Sequence, residues 1–111
     1  MATIKNLVID QGSTFALTIT VSDALANPLD LTQYSARAQL RKTYGSATYT
    51  AFSVLIGTPR FEGEITISLT AEQTSALKAG RYVYDIEIYD NEDNVTRVLE
   101  GIITVTPEVT R

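Results

Sequence analysis

The chain has 111 residues, the size of one ordinary domain with a single hydrophobic core. Apolar residues make up 44% and charged residues 20% of the sequence, so neither a disordered chain nor a membrane protein is indicated. The net charge is −4 and the 9 basic residues are scattered, which argues against nucleic-acid binding. We expect one domain over residues 1–111, with no membrane insertion.

Cysteine and histidine are both absent from the sequence. Without cysteine the domain has no disulfides, so it is able to fold in a reducing cytoplasm. Without either residue the chain lacks the usual nucleophile–base pairs and zinc ligands, and we expect no enzyme activity, metal site or cofactor. The N-terminus, MATIK, lacks the features of a secretory signal, and we expect no export by that route.

The first half of the chain shows the period-two alternation that is typical of β-strands. A short first strand is predicted over residues 4–9, and the DQG sequence at residues 10–12 ends it. The clearest strand covers residues 13–22, where large apolar side chains alternate with threonine and alanine. Residues 34–41 form a strand with a basic outer face, and residues 49–56 form a less regular one.

The period changes after a further strand at residues 65–69. The sequence TAEQ at residues 70–73 is a capping box, in which a threonine and a glutamine satisfy the free backbone groups at a helix start. We therefore predict one short crossover helix near residues 71–77, closed at Gly80.

Two more alternating runs, at residues 82–88 and 95–105, are separated by the polar residues 90–94 and predict a β-hairpin. The chain thus contains about seven short strands with frequent turns and no long helices, which is the pattern of a β-sandwich. The predicted class is all-β, with the strands in two facing sheets.

The sequence LKAGRYVY at residues 77–84 places Tyr82 at the start of the penultimate strand, just after the crossover. This resembles the tyrosine corner of immunoglobulin-like domains, to which Leu77 and Gly80 also belong. The resemblance implies that the Tyr82 hydroxyl bonds to the backbone a few residues upstream. It also places Tyr84 where antibody domains carry their second cysteine. We expect an immunoglobulin-like β-sandwich.

Asp85 and Glu87 lie two residues apart on one strand face, an arrangement that paired-carboxylate hydrolases use. The favoured interpretation is a solvated face on which both pair across strands with Arg97 or Arg81. Residues 90–94 combine three acidic residues with two asparagines and raise the question of a bound cation. A hairpin loop of turn-forming residues explains them equally well, and the sequence leaves this open.

A basic stripe on the outer face of the strand at residues 34–41 runs into a loop with tyrosines, a composition that is enriched at protein interfaces. Its members are Arg37, Gln39, Arg41, Lys42, Tyr44 and Tyr49. Both a solvated face and a partner surface fit this stripe. Terminal strands of a sandwich also expose unpaired backbone groups. We therefore add residues 4–9 and 103–109 as candidate contacts, represented by Leu7, Val105 and Val109.

Three segments resemble small tailed-phage structural proteins similar to the N-terminal domain of the baseplate upper protein family. They are PLDLTQYSAR at residues 28–37, residues 65–87 around LTAEQ and AGRYVYD, and RVLEG with VTP at residues 97–107. The family's opening strand carries a glycine, a threonine or serine and an aromatic residue, as in QGSTF at residues 11–15. The likeness covers roughly residues 10–107.

The resemblance implies a virion component, made in the host cytoplasm, that binds other virion proteins and further copies of itself. It implies no enzyme. The scattered charge leads us to expect no nucleic-acid partner, and we expect no small-molecule ligand. Longer members of the family continue into fibre or receptor-binding segments. This chain is expected instead to be a tail, baseplate or neck adaptor, or a capsid decoration subunit. The alternative is a carbohydrate- or host-surface-binding module, for which Tyr44, Tyr49 and Tyr89 are the candidate aromatic residues.

Overall fold

The computed structural model describes residues 3–23 and 25–109 of the chain. The strands, in chain order, are β1 (Thr3–Ile4), β2 (Leu7–Asp10), β3 (Phe15–Thr20), β4 (Ser35–Arg41), β5 (Thr50–Ala51), β6 (Ser53–Ile56), β7 (Glu64–Leu69), β8 (Gly80–Tyr89) and β9 (Val95–Thr106). One α-helix, α1 (Ala71–Ser75), connects β7 to β8, and a 3₁₀ turn (Arg60–Glu62) precedes β7.

The strands form two sheets that pack face to face. Sheet A has the order β1-β9-β8-β4-β5, and β2 also pairs with β9. Sheet B has the order β3-β7-β6. The chain crosses between the sheets at Phe52, because β5 belongs to sheet A and β6 to sheet B. The Phe52 N–H donates to the Ala38 carbonyl at 3.0 Å, which closes this side of the sandwich.

All seven strands predicted from the sequence are present, and the β8–β9 hairpin is confirmed. Two predicted strands, at residues 4–9 and 49–56, are each interrupted once, which raises the total in the described residues to nine. The helix is shorter than the predicted 71–77, because Ala76 already caps it and Leu77 turns into the core. The capping box at Thr70 is confirmed.

The core lies between the two sheets and is built from alternate residues of nearly every strand. Removing each such side chain from water stabilises the fold by about 1.5–3 kcal/mol. The fully buried apolar residues are Ile9, Leu31, Leu40, Ile65, Ile67, Leu69, Ile86, Ile88, Ile103 and Val105.

The turn between β2 and β3 is tied to α1 by buried hydrogen bonds. Thr74, which is fully buried, donates its hydroxyl to the Ser13 carbonyl at 2.8 Å and accepts the Gly12 N–H at 3.0 Å. Gln11 donates its side-chain amide to the Leu77 carbonyl at 2.7 Å. Gly12 has a φ of 85°, which a glycine adopts without strain. The turn therefore fixes the step from sheet A to sheet B.

The tyrosine corner predicted from the sequence is present. Tyr82 is 9% exposed, and its hydroxyl donates to the Lys78 carbonyl at 2.7 Å. Gly80 has a φ of 139°, which lets the chain turn sharply into β8. Leu77 is buried beneath this corner. The corner holds the crossover from sheet B to sheet A in place.

The first strand runs parallel to β9 in a single register, with Thr3 opposite Leu99 and Leu7 opposite Ile103. The interruption between β1 and β2 is thus a local change in hydrogen bonding, since no residue is inserted or lost. It places Leu7 in the core, beside β9.

In a regular parallel ladder the Lys5 carbonyl would accept the Ile102 N–H. Instead, the Lys5 carbonyl accepts the buried Tyr84 hydroxyl at 2.6 Å, and the Asn6 side chain accepts the Ile102 N–H at 3.1 Å. The Lys5 carbonyl lies directly over Gly101, where an added Cβ would be only 2.2 Å from it. A glycine is therefore required at this position.

Tyr82→Phe is expected to lower the free energy of unfolding by about 1 kcal/mol, because it leaves the Lys78 carbonyl without its donor. Chemical denaturation measures the change. Tyr44→Phe is the matched control, since Tyr44 is 79% exposed and its substitution should change stability by less than about 0.5 kcal/mol. Equal stabilities of the two variants would contradict the tyrosine corner.

Gly101→Ala is expected to cost about 1–3 kcal/mol, because the added methyl group must push the Lys5 carbonyl out of its position. Gly45→Ala serves as the control, since nothing lies within 4 Å of the position of its Cβ. Urea unfolding of both variants tests the difference. A neutral Gly101→Ala would show that the first strand does not pack against β9 in this way.

Candidate functional site

The outer face of sheet A carries two arginines stacked on tyrosine rings. Arg37 and Arg41 point outward from β4. The Arg37 Cζ lies 4.9 Å from the centre of the Tyr89 ring, and the Arg41 Cζ lies 4.8 Å from that of Tyr49. Such cation–π contacts are worth about 0.5–1 kcal/mol at exposed sites. They hold both side chains flat against the sheet.

Arg41 is also held by hydrogen bonds to neutral oxygens. Its guanidinium donates to the Ser46 carbonyl at 2.6 Å and to the Gln39 side-chain oxygen at 3.1 Å. The first bond connects β4 to the loop that carries Tyr44, which is 79% exposed. An ordered arginine, Arg41, and an exposed tyrosine, Tyr44, line the same cavity.

A row of ion pairs crosses the centre of the same face. Arg37 Nε lies 2.9 Å from Glu87 Oε1, and Arg97 Nε lies 3.4 Å from Asp85 Oδ2. A second Arg97 nitrogen lies 3.8 Å from Glu100 Oε1. Both arginines are half exposed, so each pair contributes at most about 1 kcal/mol. The pairing of Asp85 with Arg97 confirms that part of the interpretation drawn from the sequence, whereas Glu87 pairs with Arg37 and not with Arg97 or Arg81 as expected.

A register shift between Ile86 and Glu87 produces this arrangement. Leu99 is opposite Ile86, whereas Arg97 is opposite Glu87, so Val98 is an extra residue in β9. Such a bulge re-aims the side chains on either side of it. It places Arg97 opposite Glu87 and close enough to Asp85 to form an ion pair with it.

A shallow cavity of about 300 Å³ lies among these side chains, and its lining includes Gln39, Arg41, Tyr44, Asp85, Glu87 and Arg97. Burial raises the pKa of Asp85 above its usual 3.8, and the charge of Glu87 raises it further. The Arg97 guanidinium acts in the opposite direction. Side chains of both charge signs meet in this cavity.

Asp85 and Glu87 are the only carboxylates that the sequence offered as an acid–base pair. Each lies against an arginine, so neither is a free carboxylate. The absence of catalytic activity remains a prediction.

Most of the stripe predicted from the sequence lies on one surface, which we call the sheet-A face. It consists of Arg37, Gln39, Arg41, Tyr44, Tyr49, Asp85, Glu87, Tyr89 and Arg97. Lys42 lies beyond the end of β4, with its ammonium group 4.9 Å from the Tyr82 ring centre.

The terminal candidates do not join this surface. Leu7 and Val105 are 8% and 2% exposed, so their interpretation as contact residues is wrong: their side chains face the core. Val109 is exposed but follows β9 at the far end of the strand. Residues 103–109 also offer no free edge along β9, since β9 is paired with β8 on one side and with β1 and β2 on the other. Of these two terminal segments, only residues 4–9 lie at an edge of the sheet.

The aromatic residues considered for sugar stacking are only partly available. One ring face of Tyr49 is covered by Arg41, and one ring face of Tyr89 by Arg37. Tyr44 alone among the three has no arginine stacked on it in the described part of the chain. A flat multi-ring sugar platform is therefore not formed.

The acidic loop at residues 90–94 uses its own carboxylate to hold the turn. Asp90 Oδ1 accepts the Glu92 N–H at 2.9 Å and the Asn94 N–H at 3.0 Å, and Oδ2 accepts the Asn94 amide at 3.1 Å. These bonds explain the loop's composition by turn formation. Across residues 3–23 and 25–109 no cluster of three or more acidic residues is arranged to hold a metal ion.

The described segments also include no helix that is both long and apolar enough to span a bilayer.

Sequence reasoning missed the two arginine–tyrosine stacks and the Tyr84–Lys5 hydrogen bond. Alternation identified Arg37 and Arg41 as outward-facing, but the ring beneath each one comes from another strand or a loop. The Tyr84–Lys5 hydrogen bond had one signal in the sequence, the isolated Gly101 within an otherwise regular strand. Such a glycine indicates that another backbone segment approaches closely.

No protein-family model matches the chain, and no curated protein matches it either. Among solved structures, a mutant of the SrpA adhesin from Streptococcus sanguinis is similar, with a TM-score of 0.53 and 12% sequence identity. The match covers 97% of this chain but only 56% of the adhesin chain. Identity this low makes the similarity one of fold. With the two packed sheets and the tyrosine corner, it defines the chain as an immunoglobulin-like β-sandwich domain.

Asp85→Asn is expected to change how stability depends on pH. Because the pKa of Asp85 is raised in the folded state, its contribution to stability is full at low pH and is lost as the pH rises through that pKa. Wild type should therefore lose stability relative to the variant as the pH rises from about 3.8 through the raised pKa of Asp85. Urea unfolding at several pH values measures this.

Asp90→Asn should show the opposite trend. Hydrogen bonds from Asn94 lower the pKa of Asp90, so its contribution is present at neutral pH and lost as the pH falls. Parallel pH profiles for wild type and both variants would contradict the assignment.

Proposed function

We propose that the chain is a non-enzymatic structural subunit of a bacteriophage particle, bound to a neighbouring particle protein through the sheet-A face. The role is that of an adaptor in the tail, baseplate or neck, or of a decoration subunit on the capsid. The resemblance of residues 28–37, 65–87 and 97–107 to phage structural proteins supports the setting. The ordered arginine–tyrosine surface supports binding to a protein.

The observation that carries this proposal is the pre-ordering of Arg41 beside exposed Tyr44. Tyrosine and arginine are enriched among the residues whose truncation to alanine weakens a protein interface most. Arg41 is already fixed by Ser46, Gln39 and Tyr49, so binding would cost it little further side-chain entropy.

The charges of the sheet-A face indicate what the partner would supply. Arg37 and Arg97 are paired with carboxylates of their own chain, whereas Arg41 donates to neutral oxygens within the described residues. A carboxylate of the partner would pair with Arg41 while an apolar group packs on Tyr44. Charge-assisted hydrogen bonds of this kind are stronger than neutral ones.

A second candidate function is a carbohydrate- or host-surface-binding module. The exposed Tyr44 ring at the rim of the polar cavity favours it, because one aromatic ring beside hydrogen-bonding groups is a common sugar-binding arrangement. The S. sanguinis adhesin shares the fold, but its low identity adds nothing about a ligand.

Mass spectrometry of purified phage particles tests the proposal directly. The chain should be present at a fixed copy number that is a multiple of the number of symmetry-related positions in the tail, neck or capsid. Absence of the chain from particles made in its presence would overturn the virion role.

Arg41→Ala and Tyr44→Ala are expected to reduce incorporation into particles. Each should weaken partner binding about 30-fold, the effect of losing about 2 kcal/mol at a central interface residue. Glu92→Ala, an exposed change in the β8–β9 loop, is the control and should incorporate normally. Unfolding midpoints verify that all three variants fold.

Normal incorporation of both alanine variants would contradict the use of the sheet-A face. Binding to a glycan array that Tyr44→Ala abolishes would favour the carbohydrate-binding alternative.

A further inference from the structure

β3 is an edge strand of sheet B with a continuous row of free backbone groups. The Val21 N–H donates to the Gly63 carbonyl at 2.8 Å, which fixes the alternation along the β3–β7 ladder. The backbone groups of Ala16, Thr18 and Thr20 therefore point away from β7. None of them bonds to another backbone group in residues 3–23 and 25–109.

The other sheet edges are interrupted or short. The β1–β2 edge is broken at Asn6, and the Asp10 carbonyl at its end accepts the Ser13 N–H at 3.1 Å. β5 has only two residues, and β6 continues through Phe52 into sheet A. Natural proteins protect long edges with charges, prolines or bulges, and β3 contains none of these.

We propose that β3 is a self-association edge, at which a second copy of the chain pairs antiparallel with it. The uncharged sequence of β3 suits this occupant. The chain carries a net charge of −4, so contact between two copies is least opposed where the contacting strands carry no charge. The sequence of β3, FALTIT, has no charge, and its outward-facing residues are alanine and threonine. Identical neutral strands meet without opposing like charges.

If a two-fold axis passes between the Thr18 residues of two copies, every exposed backbone group at the centre of the edge gains a hydrogen-bond partner. In this register Thr18 is opposite its own copy, and Ala16 is opposite Thr20 of the second chain. Each of these pairs exchanges both main-chain hydrogen bonds. On the outer face, threonine pairs directly across strands are favourable. The two Glu64 carboxylates, which flank Thr20, lie at opposite ends of the joined sheet.

The inner face of β3 supports the same pairing. Phe15, Leu17 and Ile19 face the core but are only partly buried, because the sandwich is open on this side. In the register centred on Thr18, Leu17 is opposite Ile19 of the second copy and Phe15 is opposite Val21. Pairing would thus remove more apolar surface from water.

Sedimentation analysis of the purified chain tests the proposal. Wild type should show a concentration-dependent shift from the 12.2 kDa monomer to twice that mass. Thr18→Lys places two like charges opposite each other and should abolish the dimer. Thr66→Lys is the matched control, because Thr66 lies beside Thr18 on the same face but on the central strand β7. It should dimerise as wild type does.

Residue-resolved hydrogen exchange of the wild type provides a test that needs no variant. The amides of Ala16, Thr18 and Thr20 should become at least tenfold more protected as concentration rises, while those of Leu17 and Ile19, already paired with β7, should not. A monomer at all concentrations, or a dimer that leaves these three amides unprotected, would overturn the proposal. The assay uses no phage component, so its outcome is independent of the virion role.

Discussion

A buried hydroxyl governs how the first strand joins the fold. Tyr84 lies in the core, where burial raises its pKa to about 12 and its O–H must find an acceptor. The Lys5 carbonyl turns inward to meet it, Gly101 leaves the space, and Asn6 replaces the lost backbone acceptor. This exchange anchors β1 and β2 beside β9. Because the first strand is held there, β2 places its alternate side chains in the core and leads into the turn to sheet B.

The two surfaces that we propose for binding lie on opposite sheets. Arg41 and Tyr44 belong to the outer side of sheet A, whereas Thr18 lies at the edge of sheet B. The core separates them, so occupation of one does not block the other. A pair of copies joined along β3 would present two sheet-A faces related by a two-fold axis. Such a pair would bind a symmetric site with both faces at once, which raises avidity without new contacts.

Alternation of apolar residues predicted the strands correctly, since each strand has one face toward a core, and local motifs predicted the helix cap and the tyrosine corner. Alternation does not identify a strand's neighbour. The parallel pairing of residues 4–9 with β9 was therefore not predicted, and Leu7 and Val105 were assigned to an edge instead of the core. The same limit applied to the sheet-A face: Arg37 was expected to face outward, but its Tyr89 partner comes from β8.

The parallel arrangement of β1 and β2 with β9 has a mechanical consequence. Thr3 lies beside Leu99, while β2 ends beside Thr106, so the chain enters and leaves this ladder at opposite ends. Tension that pulls these two ends apart acts along the strands and perpendicular to their hydrogen bonds. The bonds then share the load and must break together, whereas a hairpin pulled at its open end unzips one bond at a time. The domain would resist stretching along these strands better than its modest size suggests.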